Sequence, residues 1–184
     1  TIIKSEKKID IIINNAGMSV FTKYFKRTDS EINNTVNVNI KGVMNMINIY
    51  SEIHRKKKLK KCNIINISSI YGLLSPDFRV YGKKDRFNSE IYGASKAAVI
   101  QLTKYYAVIL SKDNININCI SPGGILNKKN PQSKNFIKKY SNRVPKGRMG
   151  DPEDLFTSIL FLSSEQSNYI IGQNLIIDGG LSIW

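Results

Sequence analysis

Four short apolar runs separated by longer stretches of helical periodicity restrict this chain more than any other feature. Residues 9–13, 62–67, 115–120 and 175–177 are dominated by isoleucine. The first is a continuous apolar run with one aspartate, the pattern of a strand buried on both faces of a parallel sheet; the third alternates isoleucine with asparagine. Between them, residues 28–53 place Ile32, Val36, Ile40, Val43, Met44 and Ile47 on one stripe, with Thr28 or Asp29 available as N-cap. A second helix is predicted from Glu90 to about Lys112, with Ser89 as its cap and apolar residues from Ala94 to Ile109 at helical period. Asp151-Pro152-Glu153-Asp154 opens a third, with an aspartate cap, proline at the first position and acids in the first turn, running to Leu162. Strands alternating with helices of this length pair in parallel, so the expected fold class is α/β with a doubly wound parallel sheet, in a single domain over residues 1–184.

Each predicted strand runs into small or polar residues. The first leads into Asn14-Asn15-Ala16-Gly17, the second into Ser68-Ser69, the third into Pro122-Gly123-Gly124 and the fourth into Asp178-Gly179-Gly180. Carboxyl ends of strands are where open α/β sheets bind ligands, and small residues there let the backbone approach one closely. The predicted helix at residue 90 sets Tyr92 four residues before Lys96, which stacks phenol and ammonium on one face. A free tyrosine titrates near about pH 10, and a fixed cation beside it favours the phenolate, giving an acid/base nearer neutrality. Residues 73–89 read as a polar loop, and residues 125–145 as a lysine-rich excursion with a short helix around 133–140, either a movable lid or plain surface.

Composition narrows the chemistry further. The one histidine, His54, lies in a basic helix end beside Arg55, so neither a Ser-His-Asp system nor a histidine zinc site has the residues it needs. Cys62 and Cys119 sit at the edges of apolar runs and are expected to be small buried hydrophobes, with no disulfide framework and no metal site. The formal charge of +14 is spread along the chain, and the basic run at 55–61 reads as a solvated connection, which argues against nucleic-acid binding. No apolar run is long enough to span a bilayer and no signal-peptide pattern opens the chain, so a cytoplasmic protein is expected.

Taken together, the Asn-Asn-Ala-Gly after a strand, Asn39 in Asn-Ile-Lys-Gly, Ser69 in Asn-Ile-Ser-Ser, Tyr92-x3-Lys96, Pro122-Gly123 and the closing Asp-Gly-Gly resemble the short-chain dehydrogenase/reductase family. The resemblance implies a Rossmann-like sheet and an oxidoreductase using NAD or NADP on a small carbonyl or alcohol substrate. It implies that Tyr92 exchanges a proton with the substrate oxygen, that Ser69 hydrogen-bonds that oxygen, and that Lys96 lowers the Tyr92 pKa and holds the nicotinamide ribose. Asn39 would hold a water linking Lys96 to solvent, Asn15, Ala16 and Gly17 would line the adenosine side, and Pro122, Gly123 and Ile125 would lie near the carboxamide.

Two departures accompany the resemblance. The glycine-rich phosphate fingerprint is absent, and the chain opens just before what would be the family's fourth strand, so an N-terminally truncated domain lacking the first βαβαβ portion, about seventy residues, is expected. Ser69 and Tyr92 are also 23 residues apart, a long separation. With Gly147-Arg148-Met149 and Trp184 it is similar to the branch of flagellin-modification protein A and related reductases of bacterial surface-sugar (nonulosonic acid) synthesis. Arg79, Lys83 and Arg86 in that loop are candidates to pair with a substrate phosphate or carboxylate. A sugar or sugar-phosphate oxidoreductase is therefore the leading expectation, with a 3-oxoacyl carrier-protein reductase and a non-catalytic fragment as alternatives. In this family helices such as 28–53 and 90–111 pair across a two-fold axis, which implies a homodimer or homotetramer.

Overall fold

The computed structural model describes residues 8–82 and 86–184. Four strands, β1 (Ile11–Asn14), β2 (Cys62–Ile67), β3 (Ile115–Pro122) and β4 (Asn174–Ile177), form one sheet in the order 1-2-3-4, with every neighbouring pair parallel. Its register sets Ile12 beside Ile64, Ile64 beside Ile117 and Ile120 beside Leu175. Parallel neighbours need long crossovers, and the chain spends its helices on these.

The first crossover begins in a capping box. The Thr28 hydroxyl accepts from the Glu31 amide at 3.2 Å while the Glu31 carboxylate accepts from the Thr28 amide at 2.9 Å. Helix α1 (Asp29–Val36) then widens into a π-helical turn over Asn37–Lys41 before continuing as α2 (Gly42–Lys57). The single helix expected over 28–53 is thus longer than its apolar stripe implies and is interrupted at Asn39. The second crossover is α3 (Glu90–Leu110), capped by the Ser89 hydroxyl accepting from the Tyr92 amide at 3.2 Å. The third contains α4 (Lys134–Ser141) and, after a 3-10 turn at Pro152–Leu155, α5 (Phe156–Ser163).

Helices cover both faces. On one, Val43, Ile47 and Tyr50 of α2 and Val99, Ala107 and Leu110 of α3 meet Ile12, Ile64, Ile115 and Ile117. On the other, Leu162 of α5 packs on Ile65 and Ile120. The isoleucine–asparagine alternation of β3 reflects these two environments. Its Ile115 and Ile117 enter the first core, while the Asn118 amide donates to the Ile170 carbonyl at 2.7 Å and accepts from the Gln173 amide at 3.0 Å. Asn63 on β2 likewise donates to the Ser163 carbonyl at 2.9 Å. These buried amides peg the chain after α5 onto the sheet, satisfying backbone groups that no ladder reaches.

Two expectations need correction. Strand β1 is not buried on both faces: Ile12 is 8% exposed, but Ile11 and Ile13 are 43% and 44% exposed. β1 is one of the two edge strands of the sheet, and its second face is exposed among the described residues. Residues 125–145 are also more than a surface excursion, because Phe136, Tyr140 and Val144 form a small core with Met149 and Val80 above the carboxyl ends of the strands. Both cysteines are buried and free. No helix among the described residues is long and apolar enough to cross a membrane.

Candidate active site

The carboxyl ends of the strands and the first turns of α3 meet at one point, and two glycines make the approach possible. A Cβ at Gly72 would lie 2.8 Å from the backbone carbon of Lys96, and one at Gly93 would lie 2.9 Å from the Tyr71 carbonyl oxygen. With hydrogens there instead, the turn Ile70–Gly72 rests directly on the backbone of α3. The Ser68 hydroxyl fastens the contact by donating to the Lys96 carbonyl at 2.7 Å. Ser69, at the end of this strand, is thereby brought beside Tyr92.

The electrostatics of the pair follow from burial. Loss of water raises the Tyr92 phenol above its ordinary value, and a hydrogen bond with Ser69 pulls it back. Lys96 is not among the groups that shift it. The lysine is 4% exposed, and its ammonium donates to the Ile67 carbonyl at 2.8 Å and lies 5.7 Å from the centroid of the Tyr92 ring. Burial lowers the Lys96 pKa, with the nearby Cys119 acting the other way. The expected lowering of the tyrosine by the lysine is therefore not what the folded chain displays: dehydration governs both groups.

Asn39 also has a structural part in this site. The π-turn delivers its amide into the interior, where both N–H groups are spent, one on the Met18 carbonyl at 2.9 Å and one on the Ser95 hydroxyl at 2.8 Å. Its oxygen accepts from the Met18 amide at 2.8 Å. Ser95 in turn donates to the Tyr92 carbonyl at 2.7 Å. The side chain thus clamps the loop after β1 to the first turn of α3, and π-helical insertions are frequent at functional sites. Gly17, at the tip of that loop, passes over the lysine; a Cβ there would lie 3.3 Å from Nζ of Lys96.

Two cavities share this centre. One of about 430 Å³ is lined by Asn15, Gly17, Lys96, Pro122, Gly123 and Ile125. The other, about 570 Å³, lies under residues 125–150 and is lined by Tyr71, Tyr81, Arg86, Ser133 and Tyr140 among others. Ser69, Tyr92, Asn88, Gly123 and Ile125 border both. The first cavity suits a nicotinamide riboside. Gly17 leaves the lysine reachable, and Gly123 lets β3 close on Asp178, where a Cβ would come within 2.9 Å of its Cα.

The structure brings Asn39, Ser69, Tyr92, Lys96, Asn15, Gly17, Pro122, Gly123 and Ile125 together. Ala16 is exposed and lines neither cavity. Arg79 does not face the site. It pairs with Asp77 at 2.9 Å and lines a separate cleft with Lys139, Arg143 and Trp184, because Asp77 caps the 3-10 turn that carries it. Arg86 does line the larger cavity, and Lys83 lies outside the described residues. Sequence reasoning missed Ser68, Ser95, Asn88 and Tyr140. The serines flank motif residues and offered a signal. Tyr140, whose hydroxyl accepts from the Gly124 amide at 2.7 Å and whose pKa burial pushes up to about 12, offered none. Among the described residues no cluster of histidine, cysteine and acids is placed to hold a metal.

Comparison with known proteins bears on the family and the fold. Residues 1–182 match the family model described as enoyl-(acyl carrier protein) reductase. The 3-oxoacyl-[acyl-carrier-protein] reductase of Thermotoga maritima is 34% identical over 99% of this chain and 70% of its own length. The structure of a short-chain dehydrogenase from Leptospira borgpetersenii with bound NAD+ superposes with a TM-score of 0.90 at 43% identity, over 98% of this chain and 68% of that one. A gluconate 5-dehydrogenase from Burkholderia cenocepacia, in complex with NADP and tartrate, gives 0.82 at 28% identity, over 95% of this chain and 65% of that one. The chain thus spans about two thirds of the length of the relatives it matches. With a family model matched over nearly every residue, the chain belongs to the short-chain dehydrogenase/reductase family of nicotinamide-dependent oxidoreductases.

Proposed function

We propose that residues 1–184 form a catalytic domain that interconverts a carbonyl and an alcohol on a small polar substrate, a sugar or sugar phosphate, with NAD or NADP as partner. The observation that carries this reading is the position of Ser69 and Tyr92 in the wall common to the two cavities; a substrate in the larger cavity would present one oxygen to both hydroxyls. The dinucleotide, when bound, supplies the carbon that gives or takes a hydride. In reduction Tyr92 donates its proton to the substrate oxygen as the carbon–oxygen double bond becomes single, and in oxidation its phenolate takes that proton back. Ser69 donates a hydrogen bond to the same oxygen, where negative charge develops, in a site with little water to compete. Lys96, held by the Ile67 carbonyl, lines the smaller cavity, where its remaining N–H groups would hold the ribose hydroxyls. Asn39 and Ser95 keep the loop and helix in register.

The polarity of the larger cavity supports a hydroxylated substrate. Tyr71 and Tyr81 present paired hydroxyls 2.9 Å apart, with Arg86 and Asn88 beside them. All four of these lining residues come from the long segment between Ser69 and Tyr92, which supports placing the chain near the surface-sugar branch. A second reading, 3-oxoacyl carrier-protein reductase, is favoured by the relative from Thermotoga maritima. Steady-state assays with NADH and NADPH on acetoacetyl thioester, keto sugars and their phosphates separate the two. We expect kcat/KM at least about tenfold higher on the sugar derivatives; preference for the thioester would establish the second reading.

The protein is further proposed to self-associate. Met46 and Ile49 on α2 and Tyr105, Val108 and Ile109 on α3 are exposed, Val108 by 73%, and apolar faces of this kind mark interfaces. Sedimentation at micromolar concentration should show a dimer or tetramer, reduced to monomer by Val108→Glu. A wild-type monomer would contradict it.

A further inference from the structure

We infer that the substrate carries an oxyanion, a carboxylate or phosphate group, and that Arg86 is the residue that selects for it; the inference rests on the oxidoreductase reading of the same site. The chain has six arginines. Five have a carboxylate: Arg27 has Glu90, Arg55 has Asp113, Arg79 and Arg143 share Asp77, and Arg148 has Asp154. Arg86 has none among the described residues, and it is the one arginine that lines the cavity bounded by Ser69 and Tyr92.

Its surroundings fit an anion. No acid is found among the described residues that line this cavity, and every other lining side chain is neutral. The Arg86 guanidinium lies over the Phe21 ring, its central carbon 5.2 Å from the ring centroid. A guanidinium held against a ring face, with no hydrogen-bond partner among the described residues, can grip carboxylate or phosphate with two parallel hydrogen bonds. Two of the other polar side chains in the wall are engaged with the loop itself. The Gln132 amide accepts from the Asn127 backbone at 3.2 Å and donates to the Ile125 carbonyl at 2.9 Å, and Asn127 accepts from two loop amides at 3.0 Å. Among the described residues that line the cavity, Arg86 is therefore the one charged donor. In the neighbouring cleft Arg79 and Arg143 both already pair with Asp77, and neither Ser69 nor Tyr92 lines it.

The test uses Arg86→Gln and Arg86→Lys in the full chain. Calorimetric titration with succinate and with inorganic phosphate, at constant ionic strength, reads anion binding without turnover and distinguishes the two chemistries. At least one anion should bind saturably to the wild type, roughly ten- to a hundredfold weaker to Arg86→Gln and intermediate to Arg86→Lys. In kinetics, KM for a phosphorylated or carboxylated keto sugar should rise by a similar factor with kcat little changed, while the neutral keto sugar loses far less. A merely structural arginine would shift both substrates together. Equal anion affinity in wild type and Arg86→Gln, or no saturable binding of either anion, overturns the inference. Failure of the oxidoreductase reading shows separately, as no nicotinamide-linked turnover with any substrate while the titrations still report on Arg86.

Discussion

Tyr92→Phe should leave the folded chain and its dinucleotide affinity intact and lower turnover by about a thousandfold, within the range that loss of a general acid/base produces. The substitution removes one oxygen. The ring keeps its place against α3, and the Ser89 cap, which uses the Tyr92 backbone amide, is untouched. The loss falls on the one acid among the described residues of the shared wall able to give a proton to the substrate oxygen, since Ser69 is a donor but a far weaker acid. The pH profile carries the same signature. Burial holds the phenol above its ordinary value, so Tyr92 remains protonated through neutrality. Reduction, which needs the phenol, should be flat there, whereas oxidation, which needs the phenolate, should rise as pH climbs toward that raised pKa. An oxidation rate that falls above neutrality would exclude Tyr92 as the base.

Lys96→Met has the second largest expected effect and separates function from stability. The side chain is buried, and a buried charge is costly even when hydrogen-bonded. The lowered folded-state pKa fixes the sign. The folded chain holds its proton less firmly than the unfolded one, so stability rises as pH climbs from the folded toward the unfolded pKa, and below that window the penalty is fully present. Methionine keeps the length of the side chain and removes the charge, and water from the cavity reaches the freed Ile67 carbonyl. Melting temperature should therefore hold or rise, by the equivalent of about 1 kcal/mol. Meanwhile kcat/KM should fall roughly a hundredfold, with weaker dinucleotide binding, because the ribose loses a charged donor. A large drop in melting temperature would show that the lysine holds the fold through Ile67.

How much of this could be read from residue order depends on the element. Strand β2 is an apolar run legible to its observed bounds, Cys62–Ile67, whereas β3 continues two residues past the expected 115–120, to Pro122. Helix α3 is announced by Ser89, and the step from Tyr92 to Lys96 sets both on one face. The meeting of Ser69 with Tyr92 was readable because a strand's carboxyl end and the start of the next helix are neighbours in any parallel sheet. The π-turn at Asn39 was not, since one extra residue in a helical turn leaves the apolar period almost unchanged. Nor was the exposed face of β1, because a run of isoleucines reads alike whether or not something covers it. Arg79 and Arg86 share one polar loop and look equivalent in sequence. Only the capping of the 3-10 turn by Asp77 turns the first away, and only Phe21, from a distant segment, places the second over the cavity.

The central claim is that the cavity holding Lys96 takes the nicotinamide while the cavity holding Arg86 takes the substrate, with Ser69 and Tyr92 between them. The most direct measurement is a crystal structure of the full chain with NAD+ and a keto-sugar phosphate. The account predicts the nicotinamide ribose on Lys96 and the substrate oxygen within hydrogen-bonding distance of both hydroxyls. A nicotinamide bound elsewhere, or a substrate oxygen on the far side of the sheet from Tyr92, would contradict it.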